Sequence, residues 1–165
     1  MITKIFKVFL FLSVFYATII YAAHYVTGQD SVDNGEIRWD SSTVYSSQWN
    51  YAVSKWNEQG DINIAPDTWY TNKDLDVYDV NRPWASYYGQ WIYYNSAWYS
   101  DEIQFNVAKL NNKTNNQQKY TAMHELGHAL GLEHHSIYGN VMKSGIDSQT
   151  YLGPQDKSDY NYLWD

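Results

Sequence analysis

A stretch in the last third of the chain contains residues whose types and spacing suit a metal ion that does chemistry. His124, Glu125, His128, Gly131 and His134 form the pattern H-E-x-x-H-x-x-G-x-x-H. On a helix, residues four positions apart share one face with Cβ atoms about 6 Å apart, so His124 and His128 can both reach one ion. Gly131 permits the left-handed conformation that ends a helix, and the reversed chain can bring in His134 as a third ligand.

Three imidazoles predict a catalytic zinc site rather than a structural one. A structural zinc takes four protein ligands, whereas three leave a position for water. Glu125 lies about 100° round the helix from His124, so it can stand beside the ion without binding it and take a proton from that water. The neighbouring His135 is an alternative third ligand, but the register of the motif favours His134. We expect His24 to be a bystander.

The motif resembles that of the metzincin zinc endopeptidases, which also place a methionine turn beneath the metal. The candidate for that turn is Met142, in Asn140-Val-Met-Lys-Ser-Gly145. Met142 follows His134 at a short distance in the sequence, and the segment Leu152-Gly-Pro-Gln-Asp156 comes later. Both features are most similar to those of the matrixin branch. The resemblance is strong from about Gln118 to Met142 and fair to Trp164. Some metzincins have a tyrosine two residues after the turn methionine, but Ser144 stands there and we assign it no catalytic role.

The resemblance implies one catalytic zinc and a protein or peptide substrate that binds as an extended strand along an edge strand. The best match for that edge is Ala85 to Trp91, where Gly89 allows close approach. The pocket for the side chain after the cut is expected between Lys143 and Ile146. The candidate substrate-binding residues are therefore Tyr87, Tyr88, Gly89, Ser144 and Gly145.

Other metals are not favoured. Matrixins usually hold a structural zinc with further histidines, and none lies between His24 and His124. We expect that site to be missing. Calcium could bind carboxylates of Asp74, Asp76 and Asp79, yet a solvated acidic loop is the favoured interpretation.

The first residues indicate export. Lys4 and Lys7 precede a short apolar run, Val8 to Ile20, followed by small residues at positions 22 and 23. We predict a signal peptide at 1–23, a loose N-terminal arm at 24–34 and one catalytic domain at 35–165, secreted to the extracellular space. An uncleaved anchor is the alternative, although the run is short for a membrane span.

Charge and cysteine content restrict the partners. Removing the leader takes away Lys4 and Lys7 but no acid, so 9 basic residues remain against 18 acidic ones, a net charge of −9. Such a surface should avoid nucleic acid and, after cleavage of the leader, the membrane. The chain has no cysteine, so it cannot form disulfides or the cysteine-to-zinc latency switch of many matrixins. We expect a monomer.

The elements around the motif predict an α+β fold, which the resemblance extends to a twisted mixed sheet, an active-site helix, a methionine turn and a C-terminal helix. A helix should start at Ser41 or Ser42 and run to about Glu58, with an apolar stripe that includes Val44. Residues 111–118 should form a polar loop. The predicted strands cover 36–40, 62–65, 75–80 and, alternating inward and outward, 103–107; the closing helix covers 154–163.

The segment from Trp84 to Tyr99 is rich in aromatic residues and is expected to form a strand that turns near Gly89 or Asn95. For most of its aromatics we favour packing in the core and on the sheet over ligand binding. The eight are Trp84, Tyr87, Tyr88, Trp91, Tyr93, Tyr94, Trp98 and Tyr99.

Two other functions stay open. One is a hydrolase of cell-wall cross-bridge peptides, which uses the same chemistry on another target. The other is a non-catalytic binding or adhesion module in which zinc only stabilises the fold. Glu125 argues against this module, because a purely structural site has no use for a carboxylate between two ligands.

Overall fold

The computed structural model describes residues 23–96 and 98–165, and the predicted signal peptide therefore lies almost wholly outside the described residues. Five strands and four helices confirm the α+β prediction. They are β1 (Glu36–Ser41), α1 (Ser46–Asn57), β2 (Asn63–Pro66), β3 (Leu75–Val80), β4 (Gly89–Ile92), β5 (Asp101–Asn106), α2 (Val107–Leu110), α3 (Asn115–Ala129) and α4 (Pro154–Trp164). None of the helices in these two ranges has the length and apolar character to cross a membrane.

The strands form one mixed sheet in the order β2-β1-β3-β5-β4. All neighbours are parallel except β4, which runs antiparallel to β5 with Gly89 opposite Phe105 and Ile92 opposite Glu102. Because β4 is the last strand of the sheet, its outer backbone groups have no strand partner in the described part of the chain. This edge is the one that packs against α3.

Strand β5 differs from the predicted alternation. Asp101 and every residue from Ile103 to Asn106 are buried, so both faces of the strand are covered. The reason is its interior place between β3 and β4, where neighbours cover polar side chains as well as apolar ones. Gln104 is accommodated because its amide donates to the Tyr78 hydroxyl at 2.7 Å and to Glu102 at 2.7 Å.

Helix α1 carries the core that supports α3. Trp49, Ala52 and Trp56 are fully buried, and the Trp56 indole donates to the Met123 carbonyl at 2.9 Å. The predicted start of this helix was wrong by about four residues. Ser41 still belongs to β1, and Asp79 binds the following residues by accepting from the Thr43 hydroxyl and the Val44 amide. Val44 is consequently 72% exposed and outside the apolar stripe.

Helix α3 begins inside the predicted 111–118 loop. Thr114 and Gln117 form a reciprocal capping box, in which the Thr114 hydroxyl accepts from the Gln117 amide and the Gln117 side chain accepts from the Thr114 amide at 3.0 Å. This pattern satisfies two backbone donors and so favours a helix start at Asn115. The preceding residues include the short helix α2 rather than a continuous loop.

The N-terminal arm is ordered, contrary to the loose segment predicted. Thr27 and Ser31 donate their backbone amides to the carbonyls of Gly131 and Ala129, at 2.8 and 2.7 Å. These carbonyls lie at the C-terminal end of α3, where helical partners run out. His24 lies outside the group of histidines that could share an ion, and its ring stacks on Tyr162 at 4.2 Å.

The aromatic segment forms only the short strand β4, which begins at Gly89 instead of turning there. The preceding residues are held by Asn106, whose side chain accepts from the Arg82 amide at 3.0 Å and donates to the Arg82 carbonyl at 2.8 Å. The packing interpretation was wrong for half of the eight aromatics. Trp84, Tyr94, Trp98 and Tyr99 are exposed.

Candidate metal centre

Three histidines meet beneath the sheet edge because of how α3 ends. His124 and His128 lie one turn apart on α3 with ring centroids separated by 4.8 Å. Gly131 follows with φ +88°, and its amide and that of Leu132 bond back to the last turn of the helix. The chain then reverses and brings His134 to the same point, as the spacing predicts.

The three rings present their Nε2 atoms to one another. The separations are 2.8 Å between His124 and His134, 3.0 Å between His128 and His134, and 3.2 Å between His124 and His128. Within 23–96 and 98–165, this is the only group of three or more potential ligand side chains close enough to share an ion.

The hydrogen bonds on the other ring nitrogens show why these atoms suit a cation. His124 Nδ1 lies 2.6 Å from the Val141 carbonyl and His128 Nδ1 lies 2.8 Å from the Leu132 carbonyl. A carbonyl only accepts, so each Nδ1 carries the proton and each Nε2 presents a lone pair. Lone pairs about 3 Å apart repel unless a cation lies between them, and zinc bonds to histidine at about 2.0–2.1 Å. The residues therefore fit a zinc ion.

Burial keeps two of these rings in the form that binds a metal. Removal from water lowers the pKa of His124 from 6.5 to about 3, aided by the neighbouring His128, and burial likewise lowers the pKa of His128 to about 4. Both imidazoles are consequently neutral near pH 7, and neutral imidazole is the ligand state.

His135 faces away from this cluster. Its Nδ1 accepts from the Ile137 amide at 3.2 Å, and its Nε2 lies 3.7 Å from an Asp156 carboxylate oxygen. The ring is buried and packs edge-on against Tyr25. The structure thus brings His134, and not His135, to the other two histidines.

A turn around Met142 forms the floor of the centre. Met142 is fully buried, and a Cβ at Gly127 would overlap its sulfur, so the turn packs directly against α3. Asp156 holds this turn by accepting the amides of Val141 at 2.7 Å, Met142 at 3.0 Å and Gly153 at 2.7 Å. Asp156 lies in a segment whose sequence carries the family resemblance, but no sequence pattern revealed this role.

Glu125 is the buried acid of the site. Its side chain is 5% exposed, and burial raises its pKa from 4.5 to about 8, opposed by a hydrogen bond from the Trp91 backbone amide. Gly89 lies directly over it: a Cβ there would come within 2.8 Å of Glu125 Cγ and 2.9 Å of Oε1. Glu125 is thus enclosed by the edge strand β4.

A cleft of about 330 Å³ runs between β4 and α3. Four of the five predicted substrate-binding residues line it, namely Tyr87, Tyr88, Gly89 and Gly145, but Ser144 is exposed and does not. Sequence reasoning missed Tyr120 and Thr121, which both lie about one turn before His124 on α3. Their spacing from His124 was the available signal. The lining is completed by Gln90, Trp91, His124, Glu125, His128 and His134.

The carboxylates considered for calcium have separate partners. Asp74 accepts from the Arg38 amide at 2.7 Å, Asp76 pairs with Lys73 at 2.6 Å, and Asp79 accepts from Thr43 and Val44. They do not converge on one point.

A model of a known protein family matches most of the chain. The family model described as Matrixin (Peptidase_M10) matches residues 18–164. No curated protein matches the chain.

Proposed function

Because this chain belongs to the matrixin family of zinc metalloproteases, we propose that it is a secreted endopeptidase and that Glu125 is its general base and acid. The observation that carries the proposal is the position of Glu125. Its carboxyl is buried beside three convergent imidazoles, at the bottom of a cleft bounded by a free strand edge.

His124, His128 and His134 would hold the zinc ion, and no fourth potential ligand joins this cluster among the residues that the structure describes. A bound zinc of this type polarises a peptide carbonyl and lowers the pKa of its water to about 7. The hydrogen bonds from Nδ1 of His124 and His128 to carbonyls fix the ring orientations, as outer contacts do for metal-binding histidines.

Glu125 moves the proton. Its carboxylate accepts a proton from the attacking water, and the resulting acid donates that proton to the leaving amine. Burial raises the pKa of this side chain to about 8, and that value already includes the opposing hydrogen bond from the Trp91 amide. A bound zinc ion would favour the carboxylate, which is the form that accepts the proton.

The substrate backbone would pair with the outer edge of β4. Gly89 and Gly145 line the cleft without side chains and so admit an extended chain. Backbone pairing tolerates many sequences, which suits an enzyme acting on proteins or peptides. Tyr87 and Tyr88, which are partly exposed, would supply the apolar surfaces against which substrate side chains pack.

Export rests on the basic and apolar pattern of residues 1–23. Cleavage after Ala22 or Ala23 would release a chain that begins with the N-terminal arm of 24–34, followed by the catalytic domain of 35–165.

The test compares the mature chain with its Glu125→Ala form on casein and a peptide library that includes branched cell-wall peptides. We expect the mature chain to cleave casein, and both chelation and Glu125→Ala to abolish cleavage while the variant keeps its zinc. Equal cleavage by both forms, or none by a fully zinc-loaded mature chain, would contradict the proposal. Cleavage of only the branched peptides would identify a cell-wall hydrolase instead.

A further inference from the structure

A second cavity, of about 850 Å³, lies beyond the Ile92 end of β4. It is lined by residues 30–33, 71–74, 93–96 and 98–101. It adjoins the cleft across Trp91: this side chain lines the cleft, and its indole donates at 2.9 Å to the Ser31 hydroxyl, which lines the second cavity. Ser31 in turn donates to Asp101 at 2.6 Å. A chain leaving the cleft past Ile92 therefore reaches this cavity.

The cavity is negatively charged. Asp30, Asp33, Asp74 and Asp101 line it, and its one cationic side chain, Lys73, is engaged with Asp76 at 2.6 Å. None of the ion pairs in the described part of the chain includes any of the four lining carboxylates. Their charge is thus not neutralised by a salt bridge, although Asp101 is buried and already accepts hydrogen bonds from the Ser31 hydroxyl and the Tyr94 amide.

Exposed aromatic rings cover the same surface. Tyr93, Tyr94, Trp98 and Tyr99 line the cavity, and Trp98 is 91% exposed and Tyr99 72%. A large ring left in water forgoes the gain from burial, so a cluster of them is typical of a binding surface. A cation that lies between an aromatic face and a carboxylate makes two favourable interactions, because the ring attracts the charge and the carboxylate pairs with it.

The direction of the substrate follows from the edge strand. Antiparallel pairing is the slightly more stable ladder, and a chain antiparallel to β4 runs with its N-terminal side toward Ile92. The scissile bond lies near Glu125, beneath Gly89. At about 3.4 Å per residue, the chain passes Ile92 about three to four residues before the cut, so earlier residues enter the second cavity.

We propose that this acidic and aromatic cavity is an exosite for a basic stretch of the substrate that begins about four residues N-terminal to the scissile bond. The proposal rests on the peptidase function proposed above. The ligand class is an arginine- or lysine-containing polypeptide segment. A neutral glycan would also stack on the rings, but it would leave the carboxylates uncompensated.

The test uses four peptides that share one cleavable core taken from the library. Three carry a four-residue N-terminal extension that is arginine-rich, Gly-Ser or glutamate-rich, and the fourth carries the arginine-rich extension at its C-terminus. For the N-terminal arginine peptide we expect a KM about tenfold lower than for the Gly-Ser peptide, with kcat unchanged and the gain reduced by salt. The glutamate peptide should have the highest KM.

Two variants assign the effect to the cavity. Trp98→Ala and Asp33→Asn each change an exposed residue, so the fold should survive, and each should remove most of the arginine gain. The matched controls are Trp84→Ala and Asp40→Asn, which change an exposed tryptophan and an exposed aspartate outside the cavity and should leave the gain intact.

Binding of the same peptides and of a neutral oligosaccharide to the zinc-loaded Glu125→Ala protein, by calorimetry, does not depend on turnover. Preferential binding of the N-terminal arginine peptide that is lost in Trp98→Ala supports the exosite, even if no peptide is cleaved and the peptidase proposal fails. The exosite would be overturned by equal binding of all four peptides, by a preference for the C-terminal extension or for the oligosaccharide, or by equal effects of the Trp98 and Trp84 changes. Cleavage of the core peptide would in that case still support the peptidase proposal.

Discussion

At the scale of single residues, the absence of a side chain at Gly89 is as important as the presence of Glu125. A Cβ at Gly89 would lie closer to Glu125 than side-chain atoms approach in proteins, at 2.8 and 2.9 Å. The edge strand can therefore lie over the acid only with glycine at this position. The same close approach lets the Trp91 amide bond to the carboxylate.

Gly89→Ala should lower kcat by about a hundredfold, because displacement of a catalytic group by an ångström has an effect of this size. Zinc content should change little, since the atoms nearest a Cβ at Gly89 belong to Glu125 and Thr121 rather than to a histidine, whereas the overlap should lower the unfolding temperature. Steady-state kinetics with metal analysis would check this. An unchanged kcat would mean that Glu125 is not confined in the way described.

The variants His134→Ala and His135→Ala distinguish the roles of the two neighbouring histidines. Removing His134 takes away one of three ligands, so we expect zinc affinity to fall at least a hundredfold. Removing His135 leaves the cluster intact and opens a gap beside Asp156, so it should lower stability with little effect on zinc. Competition with a chromogenic chelator measures the first effect and thermal unfolding the second. Equal losses of zinc would show that the ligand register is wrong.

The convergence of the three histidines could be predicted from sequence because their geometry is local. One helical turn separates His124 from His128, and Gly131 reverses the chain before His134. The burial of Glu125 could not be predicted in this way. It depends on β4, which is far away in sequence and reaches α3 only in the folded sheet.

At the scale of elements, α4 and the methionine turn act as one unit. A single carboxylate, that of Asp156, accepts three backbone amides, two from the turn and one from Gly153 ahead of the helix. The Val141 carbonyl, which belongs to this turn, accepts a hydrogen bond from the His124 ring. Helix α4 is thereby connected to a metal ligand through one hydrogen-bonded path.

Asp156→Ala should lower the free energy of unfolding by about 3–5 kcal/mol, because it leaves three buried amides without an acceptor. Asp156→Asn should be milder, since its amide oxygen can still accept. Urea unfolding would measure both, with Asp40→Ala as an exposed control. A loss for Asp156→Ala no larger than that of the control would show that the turn is held by other contacts.

The ends of elements were predicted well only where the deciding residues are adjacent in sequence. Pro154 at the first turn of α4 and Gly131 after α3 were identified correctly. The start of α1 was not, since Asp79 on β3 holds Thr43 and Val44 out of the helix. The arm was misjudged for the same reason, because its partners are carbonyls at the end of α3.

At the scale of the whole molecule, acidic residues outnumber basic ones and the chain has no cysteine. Some of the acidic side chains are half-buried in the second cavity. Burial raises the pKa of Asp74 from 3.8 to about 6, opposed by the Arg38 amide and reinforced by nearby carboxylates. The folded state thus binds a proton at Asp74 more tightly than the unfolded state does, and stability declines as pH rises from about 4 to about 6.

Asp74→Asn should remove this penalty. A difference of about two between the pKa of Asp74 in the folded and unfolded states corresponds to about 3 kcal/mol of stability. The partial exposure of Asp74 reduces this to about 1 kcal/mol. The variant should therefore unfold at a higher temperature than the parent at about pH 7.5, with a much smaller difference at about pH 4.5. Thermal unfolding across this range would check it. A difference independent of pH would mean that burial of the charge is not the cause.

We propose that one zinc ion, held by His124, His128 and His134, makes this fold a peptidase. The most direct measurement titrates zinc into the chelator-treated mature chain while casein hydrolysis is followed. We expect activity to rise with added zinc and to level off at one ion per chain. Absence of activity at full zinc occupancy, or activity that does not depend on zinc, would contradict it.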